Sequence, residues 1–409
     1  MRLDGRGYSP ALLQKIVTAG ARLSSFADAA FALGLSGLAI SARHVQQLTY
    51  EVGTAMAQAR DAQAHHRRRR GPAPRAAPVP AVVAVEVDGG RLRTRATDSG
   101  PGVHAAENKE DKIACLVTLT DVEGAEDPQP EPPPSFVQPR RIQRLVQQMA
   151  GQAGERPPTD ETPTGLETDE AAAPPPAAGT DPQAEPWSPQ RLVRTCVASM
   201  VRSRSFGPLM AAEAHRRNFY AARRRAFVAD GQAYNWSIQR GYFADFVPIA
   251  DLLHVVCYLF KAAQGAEAEA ERWPLYVRWL RCCWQGRVAE VIGQLEGYEE
   301  RLGRPPPGED LPTADPRRLV AEALSYLRNN AGRMDYPSYR RQGLPTTSSL
   351  AESLVGEFNA RVKGKQKHWN RPAGAEAVLQ VRAALLSEDG RLERFFAERP
   401  GSPYRRRAG

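Results

Sequence analysis

Three aspartates stand where a charge is expensive. Asp88 closes the run AVVAVEVD, Asp230 closes AFVAD and Asp251 closes VPIAD. Each follows the β-branched and apolar residues that fill buried strands. Burying a carboxylate without a partner is strongly unfavourable. An acid in such a place is either a turn residue, which Asp-Gly at Asp88 and Asp230 would serve, or a group that meets a cation. A fourth acid, Glu352, lies in PTTSSLAESLV. Ser349-x-x-Glu352 has the spacing of a capping box, with the glutamate folding back on a helix start. One carboxylate cannot serve a cap and a metal well, and Ser348 or Thr347 could cap in its place. Carboxylates from separate elements that converge would hold a divalent cation through oxygen, the chemistry of phosphoryl transfer. His254 follows Asp251 by three residues. It reads as a hydrogen-bonded partner that fixes Asp251 near a helix start, or as an accessory of the same site.

These acids need elements to position them. Residues 8–62 read as helical: Ser9-Pro10 is a helix start, and Phe26, Ala29, Ala30 and Leu33 repeat at helical spacing. A turn with Gly34 and Gly37 follows, then Ser41 as cap to a helix with Val45, Leu48 and Val52. This outline fits a helix-turn-helix and, equally, an ordinary helical hairpin. Residues 81–120 read as three antiparallel strands: AVVAVEVD up to Asp88-Gly89-Gly90, then LRTRAT, then KIACLVTLT. Residues 190–225 read as an Arg-rich helix. Short buried strands then run into Asp230 and Asp251. Helices are expected over 252–264, 267–302, 316–330, from Thr346 through Val362, and over about 374–386. Three antiparallel strands, a helix and two more buried strands make the element order of the ribonuclease H-like fold, in which acids of the central strands meet at one sheet edge and hold divalent metal.

Composition bounds the rest. The 409 residues carry 55 basic and 46 acidic side chains, a net charge of +9, which leans toward polyanionic partners. Five scattered cysteines with no CxxC pair argue against a disulfide framework and a zinc ribbon, and fit a reducing cytosol. The longest apolar stretch, Phe26 to Ile40, is broken by Asp28 and Ser36, so no membrane span is expected. No signal-peptide core follows MRLDGRGYSP, so no export is expected. Residues 121–190 hold 15 of the 34 prolines and 13 acidic against 4 basic residues. Such a segment buries too little apolar surface to offset ordering entropy, apart from a short helix over Arg140–Met149. The expected organisation is a helical DNA-binding region (1–65), a basic linker (66–80), the first core half with strands 1–3 (81–120) and an acidic, mostly disordered insert (121–189). The second core half (190–254), an all-α insertion (255–345), the Glu352 helix with a C-terminal helix (346–390) and a basic tail (391–409) follow.

Basic residues crowd the C-terminal third. Arg361, Lys363, Lys365 and Lys367 stand with His368 and Trp369, and Arg328, Arg333, Arg340 and Arg341 flank Tyr336 and Tyr339. A charge run is commonly a solvated face; beside the acids it reads as a set of DNA-backbone contacts. Trp279 and Trp284 read as core residues of a helical bundle or as stacking platforms for a base.

The segment YLRNNAGRMDYPSYRRQGLPTTSSLAESLVGEFNARVKGKQKHWNRPAGAEAVLQVRAA resembles the C-terminal region of DDE transposases of bacterial insertion sequences, of the Kra group in the wider Mutator-like set. VADGQAYNWSIQRGYFADFVPIADLLHVVCYL is similar to the family's segment with the second aspartate and a D-x-x-H pair, and VVAVEVDGGRLRTR to its first-strand aspartate segment. The resemblance covers most of 81–120 and 190–386, and the insert at 121–190 departs from it. It implies a ribonuclease H-like core, a mixed five-stranded sheet, with an all-α insertion and an N-terminal helical DNA-binding region. It implies Asp88, Asp230 and Glu352 as catalytic metal ligands and Asp251 and His254 as an accessory pair. Position alone does not separate Asp230 from Asp251; Asp230 is favoured because the fourth strand neighbours the first. Two Mg²⁺ ions, or Mn²⁺ in their place, would serve end cleavage and strand transfer on DNA. The partners implied are terminal inverted repeats, target DNA and further copies of the chain, in the cytoplasm at the nucleoid. Arg43 and Gln47 are expected at the repeats, and Arg328, Arg340, Arg361, Lys363 and Trp369 along DNA. An inactive or domesticated DNA-binding protein and a structure-selective nuclease are the competing readings.

Overall fold

The computed structural model describes residues 8–70, 79–95, 106–153, 187–306, 308–363 and 367–398. In chain order its elements are α1 (Pro10–Arg22), α2 (Phe26–Leu35), α3 (Ala42–Arg70), β1 (Val82–Arg95), β2 (Ala106–Leu119), α4 (Pro139–Ala153), β3 (Arg191–Ser199), α5 (Ser203–Arg216), β4 (Arg224–Ala229), α6 (Ala233–Tyr242) and β5 (Val247–Ala250). There follow α7 (Leu252–Ala266), α8 (Glu269–Trp284), α9 (Val288–Leu302), α10 (Pro316–Asn330), α11 (Tyr336–Arg341), α12 (Ser349–Val362), α13 (Pro372–Leu386) and α14 (Arg391–Glu398). The chain is mixed α/β and divides into two units. One is built from 1–121, 189–249 and 348–409, the other from 122–188 and 250–347. No described helix is long and apolar enough to cross a membrane.

The first unit is organised on a five-stranded sheet of order β3-β2-β1-β4-β5. β1 runs antiparallel to β2 and parallel to β4, and β2 runs antiparallel to β3. Two expectations change here. AVVAVEVD and LRTR are one strand, not two, because Gly89 and Gly90 continue the ladder opposite Lys112 and Asp111. They do so for close approach: a Cβ on Gly89 would stand 2.5 Å from the Asp111 carbonyl oxygen. The third strand comes from RLVRTCVAS, which reads as helix in sequence; its Val193, Thr195 and Val197 follow the two-residue period of an edge strand. The 121–189 insert therefore lies between the second and third strands.

Side-chain alternation splits the sheet faces. Val83, Val85 and Val87 of β1 share an apolar core with Phe206, Leu209 and Met210 of α5, Phe227 and Ala229 of β4, and Trp236 of α6. Glu86 points the other way and reaches α12.

The N-terminal helices do not stand apart as a DNA-binding module. Leu13, Ile16, Val17, Val45, Leu48 and Val52 form one core with Val381 of α13 and with Leu392 and Phe396 of α14. The expected basic tail thus begins with a docked helix; 399–409 lie outside the described residues. The expected linker likewise begins as helix, since α3 continues to Arg70, and 71–78 lie outside the described residues. α3 and α13 touch backbone to backbone at Gly53, where a Cβ would stand 2.0 Å from the Ala377 carbonyl oxygen. Gly53→Ala is expected to cost about 2–3 kcal/mol by forcing the two helices apart, read as a lowered midpoint of denaturant unfolding at unchanged slope.

In the second unit α7–α10 form a helical body. Tyr276, Trp279 and Trp284 are fully buried in it, so both tryptophans are core residues and no base-stacking surface. The start of the acidic insert is not disordered. Phe136 packs edge-on against Trp284 and its carbonyl accepts from the Tyr276 hydroxyl at 2.9 Å. Gln129 O accepts from Trp284 Nε1 at 2.8 Å, and Asp127 pairs with the buried Arg340. The anticipated short helix is α4. Residues 154–186 of the insert lie outside the described residues.

Candidate functional site

The parallel register of β1 and β4 places Val87 opposite Ala229. The next residues along the two strands are Asp88 and Asp230, which therefore emerge side by side at one end of the β1–β4 pair. Both are half-buried. Asp88 Oδ1 accepts from the Gly89 amide at 2.7 Å. Asp230 Oδ1 accepts from the Gln232 amide at 3.0 Å and from Asn235 Nδ2 at 2.8 Å. These bonds orient the carboxylate and close the turn into α6. Asp251 ends β5, one strand farther out.

Glu352 sits on the first turn of α12. That turn is capped by a residue the sequence reading overlooked. Glu86, fully buried in β1, accepts the Ala351 amide on Oε2 at 2.9 Å. A buried carboxylate at a helix N-terminus meets both the free amides and the positive end of the helix dipole. Ser348 makes no side-chain cap bond, so the cap comes from the sheet and not from the helix's own start. The bond docks α12 on β1 two residues before Asp88, on the face toward which Asp88 also points.

A second acid was hidden in the charged run NKEDK. Asp111 of β2 pairs with Gly90, is fully buried, and neither of its oxygens has a hydrogen-bond partner. Burial, with help from neighbouring Asp88 and Glu110 and against the pull of Lys363, pushes its pKa up to about 6. The Asp111 and Asn359 side-chain oxygens lie 3.2 and 3.8 Å from where a Gly90 Cβ would be. Tyr234 of α6 closes the neighbourhood. Burial first, then Asp230, Glu110 and Asp88, push its phenol upward, and Lys112 Nζ stands 5.9 Å from its ring. The alternation Glu86–Asp88 could have revealed Glu86; nothing in the sequence separates Asp111 from its solvated neighbours.

A raised carboxyl pKa has a definite sign for stability. Below about pH 3 Asp111 is protonated folded and unfolded, and its ionisation costs nothing. Between about pH 4 and 6 the folded state holds a proton that the unfolded state has released, and folding loses about 2–3 kcal/mol. Asp111→Asn is therefore expected to stabilise the protein by that amount at pH 8 in EDTA and by almost nothing near pH 3, read by denaturant titration at both values.

The second unit carries Asp251 and His254. Asp251 is fully buried, caps α7 by accepting the Leu253 amide at 3.3 Å, and meets His254 Nδ1 at 2.6 Å. This is the helix-start role anticipated for the pair. A carboxylate and an imidazole are also ligand types that hold divalent cations.

The expected DNA-backbone residues divide. Arg43 and Gln47 are exposed one turn apart on α3. Lys363 is half-buried near Asp111. Arg328 is accessible and paired with Glu296 at 2.7 Å. Three others are buried. Arg340 is 1% exposed, pairs with Asp127 and lies 4.2 Å from the Trp284 ring. Arg361 is 4% exposed and donates Nε to Gly20 O at 3.0 Å. Trp369 is buried, donates to Val362 O at 2.9 Å, and bridges through its backbone to Arg93 and Arg95. Guanidinium groups can be buried where carbonyl oxygens and aromatic faces receive them, and that is their situation here. Tyr336 and Tyr339 are buried as well.

Asp88, Asp230 and Asp111 at the strands, with Glu352 at the docked helix, are all oxygen donors. Oxygen donors are the ligand type that hard divalent cations take, and one of these, the Asp111 carboxylate, is buried without a hydrogen-bond partner. No protein-family model matches the chain, and no curated protein matches it significantly.

Proposed function

We propose that the chain is a DNA transposase of the DDE type, which cuts the ends of an insertion sequence and joins them to target DNA. The observation that carries this reading is the parallel β1–β4 pair, whose adjacent strands release Asp88 and Asp230 side by side, with the Glu352 helix docked on the same strand. The strand order β3-β2-β1-β4-β5, with β1 antiparallel to β2, β2 antiparallel to β3 and β1 parallel to β4, supports a ribonuclease H-like core.

Asp88, Asp230 and Glu352 would hold two Mg²⁺ ions, for which Mn²⁺ can substitute. When bound, such a pair activates water or a 3′-hydroxyl and stabilises the leaving oxygen of an in-line displacement. The chain's own part is positional. Gln232 and Asn235 hold the Asp230 carboxylate in one orientation. Glu86 fixes the start of α12, so Glu352 is presented from a rigid first turn. Terminal repeats and target DNA are the proposed substrates, and the active form is proposed to contain more than one copy, in the cytoplasm at the nucleoid.

The test is a joining assay with end duplexes taken from the DNA flanking the gene, a plasmid target and Mg²⁺. End-dependent joining is expected. Nicking of branched DNA without preference for those ends would replace the reading with a nuclease. Salt-sensitive binding with no cleavage would replace it with a regulator.

A further inference from the structure

A cleft of about 600 Å³ opens in the first unit between the starts of α2 and α3 and the stretch 367–371 that follows α12. Arg43, Lys367, Arg371 and His368 line it, with Ser24 and Ser25. Among the described residues that line it none is acidic. Under it lies Arg361. Its guanidinium stands 4.5 Å from the Phe26 ring and 5.6 Å from the Trp369 ring, its Nε is given to Gly20 O, and its Nη2 is buried with no hydrogen-bond partner. The aromatic faces and the carbonyl receive the group, but no carboxylate forms an ion pair with it among the described residues. A buried cation without an anion is costly. Burial, the largest influence, pulls its pKa down to about 10, with Tyr50 opposing and Arg382 adding to the pull. Lys367 is lowered too, by burial and then by Arg361 and Arg382. The cleft thus gathers four cationic side chains, Arg43, Arg361, Lys367 and Arg371, against one nearby carboxylate, Asp28, which accepts a hydrogen bond from Ser24.

We propose that this cleft binds a phosphate group of a nucleic-acid strand, gripped by Arg43, Lys367 and Arg371 above the buried Arg361. An anion there offsets the charge that the fold concentrates. Lys and Arg near the mouth supply direct contacts, while Arg361 acts through its field. The arrangement ties the α3 start, which carries Arg43, to the 367–371 stretch in one grip. That the phosphate belongs to nucleic acid rests on the reading proposed above; that the cleft takes phosphate rests on its own geometry.

The test uses the full chain in EDTA, so that catalysis plays no part, and follows the anisotropy of a labelled DNA duplex over a series of salt concentrations. Arg371 is exposed and Lys367 holds one exposed bond, to Ala360 O at 2.7 Å, so Lys367→Ala with Arg371→Ala is expected to fold with an unchanged melting temperature. The double variant is expected to bind DNA roughly tenfold more weakly, and its log–log salt slope to be shallower by about two. Unchanged affinity and slope would overturn the proposal. So would inorganic phosphate, at matched ionic strength, raising the melting temperature of the wild type but not of the double variant while both bind DNA equally, since the cleft would then be a free-phosphate site. A wild type that never joins ends, with binding still lost in the double variant, would sink the transposase reading and leave this one standing.

Discussion

Asp88→Asn and Asp230→Asn are each expected to reduce the proposed end joining by roughly a thousandfold or more, about 4 kcal/mol of barrier, with the fold intact. The expectation follows from the parallel register that sets the two acids side by side beyond Val87 and Ala229. Asparagine keeps the shape, and the acceptor that Gln232 and Asn235 use at position 230, but removes the charge a divalent cation needs. Glu352→Gln is expected to fall equally far, because the Glu86 carboxylate still accepts the Ala351 amide at the start of α12. Asp251→Asn is expected to cost tenfold or less, since the capping acceptor for Leu253 survives. Joining rates measured across the four variants check the ranking. A joining defect in Asp251→Asn as deep as in Asp88→Asn, with Asp230→Asn near wild type, would exchange the roles of the two aspartates.

The largest stability effect is expected at the network that ties α5 to the start of α14. Glu213 accepts Arg216 at 2.7 Å and Arg391 at 2.6 Å, and Asp389 accepts the same two arginines at 2.7 and 2.9 Å. Burial alone would raise the Glu213 pKa, but Arg391 and Arg216 outweigh it and pull it down to about 2. Arg391→Ala leaves the buried Glu213 with Arg216 alone, which it shares with Asp389, while Asp389 keeps Arg394 at 3.2 Å, and is expected to cost about 3 kcal/mol. Arg391→Lys, which keeps the charge and loses the fork, should lie between. The pH dependence has a fixed sign. A depressed carboxyl pKa gives stability that is present above the unfolded value of 4.5 and is lost as pH falls toward 2. The wild type should therefore weaken steeply over that window, and Arg391→Ala should show a shallower acid limb. Denaturant unfolding from pH 6 downward reads both. Equal midpoints for the two proteins at pH 6 would show that the network contributes nothing.

Asp88, Asp230 and Asp251 were legible because they follow runs of Val, Ile and Phe that only a buried strand explains, though Asp88 lies within β1 and not at its end, and most helices were legible from apolar spacing with their caps at Ser9 and Ser41. What misled was local chemistry overruled by tertiary contact. Gly89-Gly90 has the composition of a turn, yet it serves a strand that passes close to the Asp111 backbone. RLVRTCVAS carries two arginines that suggest a solvated helix, yet Arg194 donates to Leu386 O and Glu357 while its neighbours fill the sheet. Arg340, Arg361 and Trp369 looked like a DNA-facing surface because charge is read as exposure, and only the three-dimensional positions of Asp127, Gly20 O and Val362 O reveal them as buried. Glu86 and Asp111, the two acids nearest the candidate site that were missed, lie inside strands, where sequence offers no turn or cap to mark them. Of the proline-rich insert, composition alone could not foresee that Phe136 and Asp127 have partners waiting in α8 and α11.

Anomalous diffraction from crystals of the wild type soaked in Mn²⁺ is the sharpest test of the proposed divalent pair held by Asp88, Asp230 and Glu352. Two peaks about 3.5–4 Å apart are expected where β1 and β4 release Asp88 and Asp230, within bonding distance of those three carboxylates, with both peaks lost in Asp230→Asn. Peaks only elsewhere, or a site that persists unchanged in that variant, would contradict the proposed pair.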